Sequence, residues 1–122
     1  CWPSSTLGPR LIVFTSPVEE SKDLIKRVIG LPGETILIKE KRVFINGQKL
    51  SEPYVKYTRK DEILSGDNLP EMKIPDGSFF VMGDNRDESN DSASWKDPQT
   101  GESIYFVKEE QIKGRLMNVM EQ

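Results

Sequence analysis

A mostly β domain of antiparallel sheet is predicted by three observations. Helical periodicity is scarce across the 122 residues, short apolar or alternating segments recur between turn signals, and an Asn-Gly pair separates two of those segments. Arg10 to Thr15 is rich in β-branched and aromatic residues and predicts a first strand; a polar connection, Pro17 to Asp23, leads to a second from Leu24 to Ile29. Leu31-Pro32-Gly33-Glu34 breaks the chain, because Pro removes a ladder donor and Gly admits positive φ. Thr35 to Lys39 alternates and reads as a strand. Val43-Phe44-Ile45, Asn46-Gly47 and Gln48 to Leu50 spell a hairpin with Asn-Gly as its two-residue turn.

Tyr54 to Thr58 extends that hairpin by a strand, and Arg59 to Lys73 reads as polar and turn-rich. The charges Lys39-Glu40-Lys41 and Arg42 read as a solvated hairpin face. Residues 41–73 are therefore expected to form a small inserted hairpin lobe on a body made of 1–40 and 74–122. Pro75-Asp76-Gly77 launches a compact apolar strand, Ser78 to Met82, which Gly83-Asp84-Asn85 ends. From Arg86 to Glu102 almost everything is polar, which predicts a long loop of the kind that often carries function. Ser103 to Val107 returns to strand. Ile112, Leu116, Val119 and Met120 fit helical spacing as well as Ile112, Gly114 and Leu116 fit alternation, so periodicity leaves the C-terminus open.

The chain is the length of one domain, with 35% hydrophobic and 30% charged residues, nine glycines and eight prolines, a composition that suits a loop-rich globular fold. Its longest apolar runs, Leu11 to Phe14 among them, are far short of the ~20 residues a membrane span requires. Seventeen basic side chains against twenty acidic, with no block of either sign, argue against a nucleic-acid partner. There is no histidine and one cysteine, Cys1, so the chain alone can build no structural zinc site, no internal disulfide and no histidine-based triad. No metal or other cofactor is expected, and any catalytic base must be Lys, Asp, Glu or Tyr.

Two segments stand out chemically. In Leu24-Ile25-Lys26-Arg27-Val28-Ile29-Gly30, two adjacent cations interrupt an apolar strand, so alternation points one of them into the half of the sheet that its neighbours bury. Burial lowers a lysine pKa toward a usable base, whereas arginine stays protonated. The plainer alternative is that Lys26 snorkels to solvent and Arg27 makes an ordinary ion pair. The second segment, Gly83 to Ser92, packs carboxylates, amides and hydroxyls behind the apolar strand and reads equally as a self-satisfied loop. It lacks the ligand spacing of a helix-flanked calcium loop.

Lys26-Arg27-Val28-Ile29-Gly30-Leu31-Pro32-Gly33-Glu34 is similar to the motif that carries the general-base lysine of the type I signal peptidases. Gly83-Asp84-Asn85-Arg86-Asp87-Glu88-Ser89-Asn90-Asp91-Ser92 is similar to the same family's second signature. Weaker similarity extends over nearly the whole chain. The resemblance implies an antiparallel β body of the signal-peptidase type, and a membrane-bound serine endopeptidase whose catalytic domain lies on the extracytoplasmic side of the cell membrane. It would remove signal peptides from exported preproteins after a small-x-small motif. By position, Lys26 would be the base of a Ser/Lys dyad and the buried member of the cation pair. Ser89 would orient its amine, Arg27 and Asp84 would pair, and Asp91 would buttress the loop. Cys1, Asp23 and Leu24 would line the substrate groove, in which the peptide lies as an added strand.

The departures from the family pattern also carry information. An ungapped match through Gly8 puts Pro3-Ser4 on the Pro-Thr of the family's nucleophile string, so the attacking serine is expected one residue before Cys1 and this stretch alone is expected to be inactive. Cys1 itself falls at a pocket-lining position, although a thiol there is a conceivable replacement nucleophile. Pro9, Ser5 and Ala93 stand where the family has Asp, Leu and an Arg that partners Asp91; Lys96 is one substitute partner. Two rival readings remain, a non-catalytic paralogue that keeps the peptide groove and a Ser/Lys peptidase of another substrate class.

Overall fold

The structure, a computed structural model, describes residues 11–19, 21–50, 57–58, 61–62, 67–85, 87 and 91–115. These build two antiparallel sheets. The first has the strand order β8-β7-β2-β1-β9 and the second β5-β4-β3-β6. In chain order the strands are β1 Leu11–Thr15, β2 Asp23–Gly30, β3 Thr35–Lys39, β4 Arg42–Ile45, β5 Gln48–Lys49, β6 Leu69–Lys73, β7 Ser78–Met82, β8 Val107–Lys108 and β9 Ile112–Arg115. The mostly β, antiparallel expectation holds, and the apolar runs at β1, β2, β3, β4 and β7 lie where the sequence places strands.

The turns explain why the chain divides as it does. Gly33 has φ 86° behind Pro32, and the Glu34 N–H donates to the Leu31 carbonyl at 3.1 Å, a turn only glycine fits without cost. It separates β2 from β3 and sends the chain into the second sheet. Asn46 and Gly47, at φ 52° and 81°, form the two-residue turn that fixes Ile45 opposite Gln48. A second two-residue turn joins Lys39 to Arg42 through Glu40 and Lys41, also at positive φ, 50° and 70°, with no glycine or asparagine to ease it. Such a conformation costs about 1–2 kcal/mol per residue and persists only where surroundings impose it.

Side-chain alternation gives the first sheet two packed faces. Ile12 and Phe14 of β1, Val28 of β2, and Phe79 and Val81 of β7 point to one side, into a core closed by Trp95, Val107 and Ile112. Ile29, Phe80 and Met82 point to the other, where they meet Ile36, Ile38, Val43 and Leu69 of the second sheet and Ile74 just beyond it. Gly30 is buried where no side chain fits: a Cβ on it would run into Ile74 and lie 3.2 Å from the Phe80 Cβ.

Two expectations are revised. Residues 69–73 form β6 rather than a turn-rich stretch; Pro70 is tolerated because β6 is an edge strand, and Leu69 and Met72 pack on the second core. The strand expected over 103–107 shrinks to β8, because Ser92 occupies both backbone groups of Val81 and closes the outer edge of β7 beyond Phe79. Ser103 makes only an isolated bridge to Lys96, and Phe106 instead sets its ring edge-on to Phe80. Where periodicity left the C-terminal segment open, residues 112–115 form β9 after a single 3-10 turn, Glu109–Gln111, and 116–122 lie outside the described residues. The strand expected over 54–58 falls mostly outside the described residues. Among the described residues no helix is long and apolar enough to cross a membrane.

Candidate active site

Strand β2 carries both cations, and pairing decides where each goes. Lys26 sits opposite Ile12 of β1 and shares its face with Leu24 and Val28, so it projects toward the first core, half-buried. Arg27 projects to the opposite face. Its register partner on β7 is Met82, and Asp84 lies two residues further on, where the alternation of Phe80 and Met82 brings it to the same side. The Arg27 Nε donates to Asp84 Oδ1 and an Nη to Oδ2, each at 2.9 Å, a two-pronged bond that clips the second motif to the first. The sequence argument put one of the two cations inside; because this sheet is covered on both faces, both are partly enclosed.

Asp91 is 2% exposed and is held by the backbone around it. Its Oδ2 accepts the Gly83 N–H at 3.0 Å and its Oδ1 the Ala93 N–H at 3.1 Å, while its carbonyl accepts from Ser94 and Trp95. Ala93, where an arginine partner was missed, packs on the second core, and Trp95 enters the first. The backbone of Lys96, suggested as a substitute partner, forms an isolated β-bridge with Ser103. Ser92, fully buried, donates its N–H to the Val81 carbonyl and accepts the Val81 N–H on its Oγ at 2.9 Å. Among the described residues Asn85 Oδ1 is a buried acceptor that no hydrogen bond meets.

Of the expected groove residues, Leu24 is half-buried against the first core, and Asp23 is exposed at the start of β2, accepting from Lys113 Nζ at 3.0 Å. Cys1 and Ser89 lie outside the described residues. The β2–β7 ladder runs from Gly30 to Arg27, whereas β2 and β1 stay paired from Arg27 down to Asp23.

One cluster escaped the sequence reading. Lys41, expected on a solvated face, has a side chain only 14% exposed; its Nζ lies 2.9 Å from Asp67 and 2.6 Å from Asp87, whose side chains are 8% and 0% exposed. Burial alone would push the Lys41 ammonium down, but hydrogen bonds and charge from Asp87 and Asp67 outweigh it and hold it above the usual lysine value. Lys39, Glu40 and Arg42 are exposed as expected. The only advance signal was the step from the alternation of β3 to that of β4, which leaves Glu40 and Lys41 as the turn. No cluster of His, Cys, Asp or Glu suited to a metal occurs among the described residues.

Against known proteins, the Signal peptidase, peptidase S26 family profile matches residues 8–120. Signal peptidase I of Bacillus licheniformis is 45% identical over 86 residues, 66% of this chain and 46% of that protein. Signal peptidase I of Pseudomonas aeruginosa is 33% identical over 133 aligned positions, 89% of this chain and 47% of that protein. The chain thus spans about half the length of the curated relatives it matches. A crystal structure of a signal peptidase I from Enterococcus faecalis superposes with a TM-score of 0.65 at 31% identity, covering 89% of this chain and 94% of that one.

Proposed function

From the premise that this chain belongs to the signal peptidase, peptidase S26, family, we propose that it carries the base and support residues of a serine endopeptidase that removes signal peptides from exported preproteins. The observation that carries this reading is the joining of the two motifs: β2 and β7 are hydrogen-bonded neighbours, and Arg27 clips Asp84 from the residue next to Lys26.

The proposed chemistry needs little else from this chain. Lys26, on the apolar side of β2, takes the hydroxyl proton of a serine, whose oxygen attacks the carbonyl after a small-x-small motif; the protonated amine then gives its proton to the leaving nitrogen, and water releases the acyl-enzyme. On the proposed match of Pro3-Ser4 with the family's nucleophile string, that serine would stand one position before Cys1. Ser89 orients the lysine amine. The stretch of β2 from Asp23 toward Lys26, where the ladder to β7 has ended, is the proposed edge for a signal peptide bound as an added strand, with Leu24 against its small side chains. The site is proposed to work at the membrane surface, on the extracytoplasmic side.

The non-catalytic reading draws its support from Ala93 and Pro9. Asp91 itself accepts the backbone N–H groups of Gly83 and Ala93. The deciding experiment is cleavage of a signal-peptide-bearing preprotein by the full-length natural protein in detergent beside its Lys26→Ala variant. Cleavage at a small-x-small site that disappears with Lys26→Ala is expected; a folded protein that does not cleave would leave the groove as a binding site.

A further inference from the structure

We propose that Lys41 is a positioning residue for the second motif, Gly83 to Ser92, to which the proposed mechanism assigns the serine that orients Lys26, and that it acts across the two sheets through the buried carboxylate of Asp87. The proposal rests on the peptidase reading for its catalytic half and on geometry alone for its structural half.

Three observations converge on Lys41. Its turn adopts positive φ at two residues without glycine, and that conformation is imposed from outside: the Glu40 N–H donates to Asn68 Oδ1 at 3.0 Å, the Lys41 N–H to the Asp67 carbonyl at 3.0 Å, and the Tyr57 hydroxyl to the Lys41 carbonyl at 3.1 Å. The turn is thus fixed before its side chain is considered. That side chain leaves the second sheet and enters the 83–92 segment, ending 2.6 Å from Asp87. Asp87 is completely enclosed there, and a carboxylate so placed is retained only with a partner.

The segment is fastened at intervals. Asp84 is held by Arg27, Asp87 by Lys41, and Asp91 by the N–H groups of Gly83 and Ala93. Ser89 stands midway in sequence between Asp87 and Asp91. Arg27 and Asp91 tie the segment to the first sheet and to its own backbone; Lys41 alone of these three anchors reaches it from the second sheet. Without the ammonium, Asp67 and Asp87 would face each other as like charges in an enclosed space, and the repulsion would fall on the loop, since Asp67 is tied to the turn by its carbonyl.

The test uses full-length protein in detergent, unaltered and as Lys41→Met, Lys41→Arg and Asp67→Asn, with Lys26→Ala as control. Preprotein cleavage in Lys41→Met is expected to lose roughly tenfold to a hundredfold in kcat at nearly unchanged KM, the signature of a displaced catalytic group. Lys41→Arg should recover most of the loss, and Asp67→Asn, which leaves the Lys41–Asp87 contact, should lose little. Amide exchange at Gly83, Ser92 and Ala93 should accelerate in Lys41→Met while Val13 and Val28 stay protected. A Lys41→Met protein that is less stable but keeps the kcat of its folded fraction and normal exchange at those three amides would overturn the proposal. If the unaltered protein does not cleave and Lys26→Ala matches it, the peptidase reading has failed; the exchange comparison still decides whether Lys41 holds the loop.

Discussion

The Arg27–Asp84 pair and the Lys41–Asp67–Asp87 cluster fasten the same 83–92 segment by opposite means. Arg27 and Asp84 meet because their strands are paired, so one ladder and a period of two bring them together, and their side chains stay 18% and 35% exposed. Lys41 meets Asp67 within the second sheet but reaches Asp87 only once that sheet has folded against the first, and it is enclosed with both carboxylates. An interaction built by local register tolerates water. One built by tertiary closure depends on complete pairing, because no solvent stands in when a partner is lost.

The largest expected effect follows from that dependence. Replacing Lys41 by Met removes the cation that two buried carboxylates share and should lower the unfolding free energy by about 3–5 kcal/mol, the usual cost of breaking a buried pair from one side. Adding Asp87→Asn in the same chain should return part of the loss, since it removes one of the stranded charges. Urea unfolding of the single and double variants measures both. A Lys41→Met loss below about 1 kcal/mol would place the cluster among ordinary surface pairs.

The same contrast decides what the sequence could reveal. Strands β3 and β7, the Asn46-Gly47 turn and the place where Arg27 meets Asp84 depend on neighbours and on periods of two, which are written locally. Lys41 was unreadable because its chain neighbours Lys39, Glu40 and Arg42 are charged and exposed, and what distinguishes it is Asp67, delivered just ahead of β6. β6 was itself hidden behind Pro70 and Glu71. Asp91 was legible as a position, but its satisfaction by the N–H groups of Gly83 and Ala93 is a property of a folded turn and left no mark in composition.

A smaller effect is expected at the exposed junction. Arg27→Met removes both prongs to Asp84 and should cost about 1.5–3 kcal/mol, the range for hydrogen bonds to a charged group, with water taking up part of the released carboxylate. Arg27→Lys should recover less than half of that, because an ammonium matches the charge but cannot reproduce the parallel pair of N–H donors. Equal unfolding curves for Arg27→Lys and the unaltered protein would show that charge alone holds the junction, and the two-pronged geometry would lose its claim.

The smallest effect separates the junctions by acidity. Lys41 is held protonated above the usual lysine value by Asp87 and Asp67 despite its burial. A group whose folded pKa is raised contributes stability that is complete below its unfolded value and is lost as pH rises through the folded one. The stability difference between the unaltered protein and Lys41→Met should therefore be constant through neutral pH and begin to shrink only above about pH 10.4. Arginine keeps its proton throughout this range, so the difference between the unaltered protein and Arg27→Met should stay flat. Taking differences cancels the titration of the other lysines, which both members of each comparison share. Urea unfolding at about pH 8 and about pH 11 supplies the four values needed. Parallel decline of both differences would mean that the whole fold loosens in alkali and that neither junction is the site of the loss. A decline confined to Lys41 would identify the joint between the sheets as the one element of this loop that alkali can release.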